Sequence, residues 1–159
     1  MDVFSHGLWG ILAVGRQGAP WAAAVWGMAP DVIAFGPFIA SSLIQRKLPQ
    51  QRPEAHKVPE WVHTMYNCTH SLVIYGLIFA SLILAGKKQA AMLSLAWPLH
   101  ILMDIPTHSK AYFPTRFLYP LSNICFNGIP WSRPGVLATN FLLLLIAYLF
   151  YLFYLLKPA

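Results

Sequence analysis

Residues 136–156 read VLATNFLLLLIAYLFYLFYLL, without a charge anywhere in the run, and Lys157 closes it. A helix needs about 20 consecutive apolar residues to cross the hydrocarbon core of a bilayer, so this stretch reads as a transmembrane helix. The rest of the chain agrees with it. Of 159 residues, 57% are hydrophobic and 10% charged, whereas a soluble domain carries about 25% charged residues. A water-soluble globule is excluded. A mean hydropathy of +0.54 excludes disorder, despite 13 prolines. Two cysteines, Cys68 and Cys125, make no disulfide framework. The expected fold is all-α: one domain over 1–159, a polytopic integral membrane helical bundle with about four apolar segments.

Upstream of that helix, residues 105–133 are rich in proline and aromatic side chains and suit an interfacial loop. Ala90–Met103 reads as a helix. The basic turn Gly86-Lys87-Lys88-Gln89 joins it to a long helix, Val58–Ala85, whose second half is apolar. Before that lies a polar loop containing Arg46, Lys47, Arg52 and Lys57, preceded by an apolar helix over Val32–Leu48. The chain opens with two short helices, Val3–Val14 and Trp21–Met28, joined by a turn at Gly15–Pro20; the second ends at Ala29-Pro30-Asp31. The opening MDVFSHGLWGILAV is not expected to be a signal peptide, because it lacks a basic first segment and carries Asp2.

Ionisable groups in so apolar a chain are costly and functional by default. If the turns Gly15–Pro20 and Gly86–Gln89 lie on one face, the opposite helix ends meet, bringing together His6, Asp31, His70, His100, Asp104 and His108. His100 and Asp104 are four residues apart and share one helix face. His63, Asn67 and His70 form a second stripe. Imidazole and carboxylate together suit zinc and related divalent metals, and facing helices of a bundle build such sites. Two metals sharing a carboxylate suit phosphoester hydrolysis. Plainer readings stand beside this one. His70 and His100 equally suit hydrogen bonds between helices, Asp2 and Asp31 equally suit helix caps, and His56 reads as a solvated loop histidine.

Met1-Asp2-x3-His6, Ala29-Pro30-Asp31, Thr69-His70-Ser71 and His100-x3-Asp104, taken together, resemble the YdjM-like family of membrane-bound metal-dependent hydrolases. That family is distantly similar to the phospholipase C / P1 nuclease zinc phosphoesterases. The resemblance covers roughly residues 1–108. It implies an α-helical fold with a divalent metal centre, zinc by preference, at the membrane boundary, and hydrolysis of a phosphoester or lipid-like substrate. It further implies that Asp31, His70, His100 and Asp104 hold one metal, and that His6 and Asp104 hold a second, completed by Asp2 or His108. Asp31 and Asp104 are the catalytic candidates, Asp31 as the water-orienting group. Two departures stand out: Asp31 lacks the second acid that usually follows it, and Tyr66-Asn67-Cys68 replaces a usual His-Arg-Gly. The amino-terminal amine, a ligand in the soluble enzymes, is not expected to act as one in a chain opening at Met1.

The expected partners are the lipid bilayer and a lipid or phosphoester substrate. Lys110 or Arg116 would neutralise a phosphate, beside the aromatic residues Tyr112, Phe113, Phe117 and Tyr119. The net charge of +6 indicates no nucleic acid partner, since its basic residues suit solvent or lipid headgroups. The six tryptophans read mostly as interface anchors. The expected location is a bacterial inner membrane. The rival reading is a non-enzymatic membrane protein, a metal or proton carrier or an accessory subunit, using the same ligands. Carriers place their sites near the bilayer midplane; polar groups gathered at helix ends favour the enzyme.

Overall fold

Asp2 starts the first helix. Its carboxylate accepts the Ser5 backbone N–H at 2.9 Å and the Ser5 hydroxyl at 2.5 Å, the arrangement of an N-cap, and α1 runs over Val3–Val14, as predicted. The structure, a computed structural model, describes residues 1–46 and 53–155. Lys47, Arg52, Lys157 and the end of the expected Val32–Leu48 helix lie outside the described residues. After α1 come α2 (Pro20–Ile44), α3 (Glu60–Thr69), α4 (Leu72–Leu84), α5 (Lys88–Ser94), α6 (Ala96–Thr107) and α7 (Pro134–Leu155), with no strand among the described residues. Two helices, α2 and α7, are long and apolar enough to cross a membrane; α3 and α4 make a third candidate if that pair, bent by 57°, is one span.

Four predicted helices have different bounds: two merge and two divide. The expected pair Trp21–Met28 and Val32–Leu48 is one helix, α2, with Pro30 and Pro37 inside it. Proline withholds one N–H and crowds the preceding turn, but a long apolar helix tolerates this where neighbours take up the freed groups. Pro30 leaves the Trp26 carbonyl without its helical donor, and the adjoining Gly27 carbonyl accepts from His100 Nδ1 at 2.7 Å, which fastens that turn to α6. Conversely, Val58–Ala85 is two helices. The Ser71 hydroxyl accepts the N–H groups of Val73 (3.1 Å) and Ile74 (3.2 Å) and donates to the Tyr119 carbonyl, so a new helix is capped where the sequence pattern ran on. Leu72 N–H donates to the Phe117 carbonyl (2.9 Å) and Trp97 Nε1 to the Thr69 carbonyl (2.7 Å). Ala90–Met103 likewise divides into α5 and α6 at Leu95, and α6 runs one residue past Pro106 before ending.

The hairpin geometry expected from the turns holds: Gln89 Nε2 donates to the Gln17 carbonyl at 3.5 Å, so both turns share one end of the bundle. α1 and α2 approach closely enough that a Cβ on Gly27 would lie 2.6 Å from the His6 carbonyl oxygen, and one on Gly10 2.8 Å from that of Ala23. Small residues permit this contact, and it sets His6 beside the turn of α2 that carries Gly27 and Asp31. Two apolar clusters flank that level. One holds Ala34, Val58, Val62, Tyr66 and Phe113; the other holds Tyr75, Trp97 and Ile101. Trp97 is therefore a core residue, not an interface anchor. α7 packs chiefly on α1, tied by Trp9 Nε1 to Asn140 Oδ1 (3.0 Å) and Asn140 Nδ2 to Ser5 Oγ (2.8 Å).

Candidate metal centre

The break between α3 and α4 sets His70 at the end of α3 facing inward, with no exposed surface. Its Nδ1 donates to the Tyr66 carbonyl at 3.1 Å. With His100 Nδ1 committed to Gly27, both imidazoles turn their Nε2 lone pairs inward, 3.0 Å apart. Metal-binding histidines are oriented in this way, by a backbone carbonyl on the far ring nitrogen. Asp104 Oδ2 lies 3.3 Å from each Nε2, and Asp31 Oδ1 lies 3.5 Å from His70 Nε2 and 3.8 Å from His100 Nε2.

Asp31, His70, His100 and Asp104 thus offer four ligand atoms within 4.8 Å of one another, all buried, and this group can bind a metal ion. The spacing fits. A tetrahedral ion with N and O bonds of ~2.0–2.1 Å needs ligand atoms about 3.3–3.4 Å apart, close to the separations above. The chemistry fits too. Asp104 Oδ2 is buried with no hydrogen-bond partner, and it faces two lone pairs and a second carboxylate. Four acceptors without a donor repel one another in a medium that screens little; a divalent cation balances the two carboxylates and gives every acceptor a partner.

The other oxygen of Asp104 faces a second group. Oδ1 lies 3.0 Å from His6 Nε2 and 3.4 Å from His108 Nδ1, and it accepts from the Met1 amine. The amine reaches the site as a hydrogen-bond donor, not as a ligand, because the Asp2 cap turns the start of α1 towards α6. Asp2 itself is spent on capping, which leaves His108 beside Asp104. Burial pushes the His108 imidazole down to about 4, and its Nδ1 donates to the Asp104 backbone carbonyl at 3.2 Å, which puts the lone pair of the neutral ring on Nε2. Its backbone is held by the loop before α7: Gly128 N–H donates to the His108 carbonyl (2.8 Å) and Ile129 N–H to that of Pro106 (2.9 Å). A Cβ on Gly128 would lie 2.2 Å from the Pro106 oxygen.

All six sequence-predicted ligands therefore converge on Asp104 or its neighbours. Asp31, expected at a helix boundary, is instead inside α2, because that helix does not stop at Pro30. The remaining candidates stand apart. Lys110 is exposed, its backbone N–H bonded to Asn127 Oδ1. Arg116 lines a polar pocket with His56, Glu60, His63 and Asn67. Tyr66 walls that pocket and stacks on His70 at 3.8 Å between ring centroids. Among the described residues neither cation pairs with Asp31 or Asp104. His63 leaves the expected stripe: its Nε2 donates to the Ala55 carbonyl (3.0 Å) and its ring stacks on Phe113.

Sequence reasoning missed Gly27 and Tyr66, whose carbonyls orient the two imidazoles; carbonyl roles leave no trace in side-chain patterns. Comparisons with known family models, curated proteins and solved structures find no match.

Proposed function

We propose that the protein is a membrane-bound, metal-dependent hydrolase acting on a phosphoester or lipid-like substrate at the membrane surface, with zinc as its ion, as in the YdjM-like family that its motifs resemble, and that it works in a bacterial inner membrane with about four apolar segments in the bilayer. The observation that carries this reading is the inward-facing set of Asp31, His70, His100 and Asp104, two imidazoles and two carboxylates at tetrahedral spacing. A bound divalent ion supplies a polarised phosphoryl oxygen and a water acidified towards ~7.

The chain's own groups divide the remaining work. His70 and His100 are locked by their backbone carbonyls and keep the site geometry fixed. Asp104 serves both halves of the centre, one oxygen towards each. Asp31 is the least enclosed of the four, with its side chain 8% exposed against none for its neighbours; it is the carboxylate suited to orient a water. His6 and His108 flank Asp104 Oδ1, which also accepts from the Met1 amine.

One pair of observations favours a carrier instead: Asp31 lies mid-helix in a candidate span and His70 sits at a helix break, features of midplane ion sites in transporters. One preparation tests both. Purified protein with stoichiometric metal is assayed on lipid and water-soluble phosphoesters, then in sealed vesicles for ion flux. Cleavage that is lost in Asp104→Asn supports the hydrolase. Metal-replete protein that cleaves nothing in a broad panel refutes it, and accompanying flux assigns the carrier.

A further inference from the structure

α7 packs chiefly on α1, and this leaves a groove of about 550 Å³ between α6 and α7, within the range of about 300–1,000 Å³ for small-molecule sites. Trp9, Leu99, Met103, Val136 and Leu143 make its apolar walls, and Met1 and Thr107 also line it. Those two residues lead to the metal centre. Thr107 Oγ1 lies 3.5 Å from Asp104 Oδ1, and the Met1 amine donates to the same oxygen. On the far side the groove is bounded by α7, whose Leu142, Leu145 and Leu149 are more than half exposed.

We propose that this groove is an acyl-chain site: it takes one hydrocarbon tail of a membrane lipid and sets the lipid's polar head at Asp104. The inference rests on the hydrolase reading above and narrows its substrate to an acyl lipid phosphoester. Two features select this occupant. The groove is apolar along its length and polar where it meets Asp104, the polarity pattern of an amphiphile. Its outer wall belongs to a helix able to span a membrane, so hydrocarbon chains are the molecules that surround it.

The test uses the full chain in phosphatidylcholine nanodiscs doped with phosphatidic acid that carries a diazirine in its acyl chain. After illumination, adducts are mapped by mass spectrometry. The expected result is adducts concentrated on Leu99, Met103, Val136 and Leu143, well above those on Leu145 and Leu149. A Cβ on Gly135 meets nothing within 4 Å, so Gly135→Trp puts an indole at the groove without moving backbone. It is expected to remove most groove adducts and leave metal content unchanged; Thr139→Phe is the second blocking variant. Adducts spread evenly over the outer faces, adducts unchanged in both variants, or crosslinks between copies of the chain through the groove each overturn the proposal. The two readings fail separately. Groove adducts retained in a protein that hydrolyses nothing uphold the site and sink the hydrolase. Cleavage of water-soluble phosphoesters with even labelling sinks the site alone.

Discussion

Replacing Asp104 by asparagine keeps the side-chain shape and removes one charge, and its effect changes sign with the metal. In the loaded protein the carboxylate is one of four ligands. Structural zinc sites are worth about 10–16 kcal/mol, so an equal share is about 2.5–4 kcal/mol. At ~1.36 kcal/mol per decade that weakens binding roughly a hundred- to a thousand-fold. In the metal-free protein the substitution helps. Asp104 Oδ2 is buried, unpartnered, and 3.3 Å from each of two imidazole nitrogens. An amide N–H in its place donates to one of them, while the amide oxygen keeps the His6 and Met1 contacts. Relieving an unsatisfied buried acceptor is worth about 1–3 kcal/mol. That is a rise of about 2–12 °C in midpoint, at ~2–4 °C per kcal/mol for a chain of this length. Metal content by mass spectrometry, chelator competition and thermal unfolding in detergent, each with and without metal, measure both effects. An Asn variant that keeps stoichiometric metal at unchanged affinity refutes the reasoning. So does one less stable than the parent in both states, because Asp104 would then be the partner of a protonated histidine.

Gly27→Ala puts a Cβ 2.6 Å from the His6 backbone oxygen; overpacking of this kind costs about 1–3 kcal/mol, and thermal unfolding should fall while metal affinity weakens through His6 and His100. Gly128→Ala meets the Pro106 carbonyl at 2.2 Å and should displace His108, so activity falls while the Asp31–His70–His100–Asp104 metal remains, read by activity and metal content together. Ser71→Ala removes the cap of α4, expected to lower stability by about 0.5–2 kcal/mol in the same unfolding assay and to loosen His70.

The helices at the two ends of the chain were legible because their signals are local. Val3–Val14 has its cap at Asp2, and Val136–Leu156 has no charge to interrupt it. The middle was not, because its breaks are tertiary. α2 runs through Pro30 because α1 and His100 pack against that turn, and α3 ends at Thr69 because Ser71, Phe117 and Trp97 supply the partners for an interruption. The ligand set was legible for a different reason. Acids and histidines are so few in this chain that each one inside an apolar segment stands out, and shared turns force their ends together. Lys110 and Arg116 were read from proximity in sequence to His108, a weak guide in a loop that folds back through Gly128 and Ile129.

Depth and openness pull the functional argument in different directions, and the helices separate the two. Asp31 is 11 residues (31 − 20) from the start of α2 and 13 (44 − 31) from its end, about 16 and 20 Å at ~1.5 Å per residue, which is mid-span for that helix. Along α7 the same level falls near the start, where Asn140 bonds to Ser5 and Gly135 shares a groove with Met1 and Thr107. The centre is therefore midway along one candidate span and within two turns of the beginning of the other. With all four bound, the Asp31, His70, His100 and Asp104 set is closed, whereas reaction chemistry needs a free position; Asp31, the least enclosed of the four, is the ligand that gives way to a water on the hydrolase reading. The other oxygen of Asp104 faces His6, His108 and the Met1 amine, on the side where Thr107 lines the groove. On the hydrolase reading, His70, His100 and Asp104 hold the ion, Asp31 orients the water, and the second oxygen of Asp104 ties the centre to His6 and the Met1 amine.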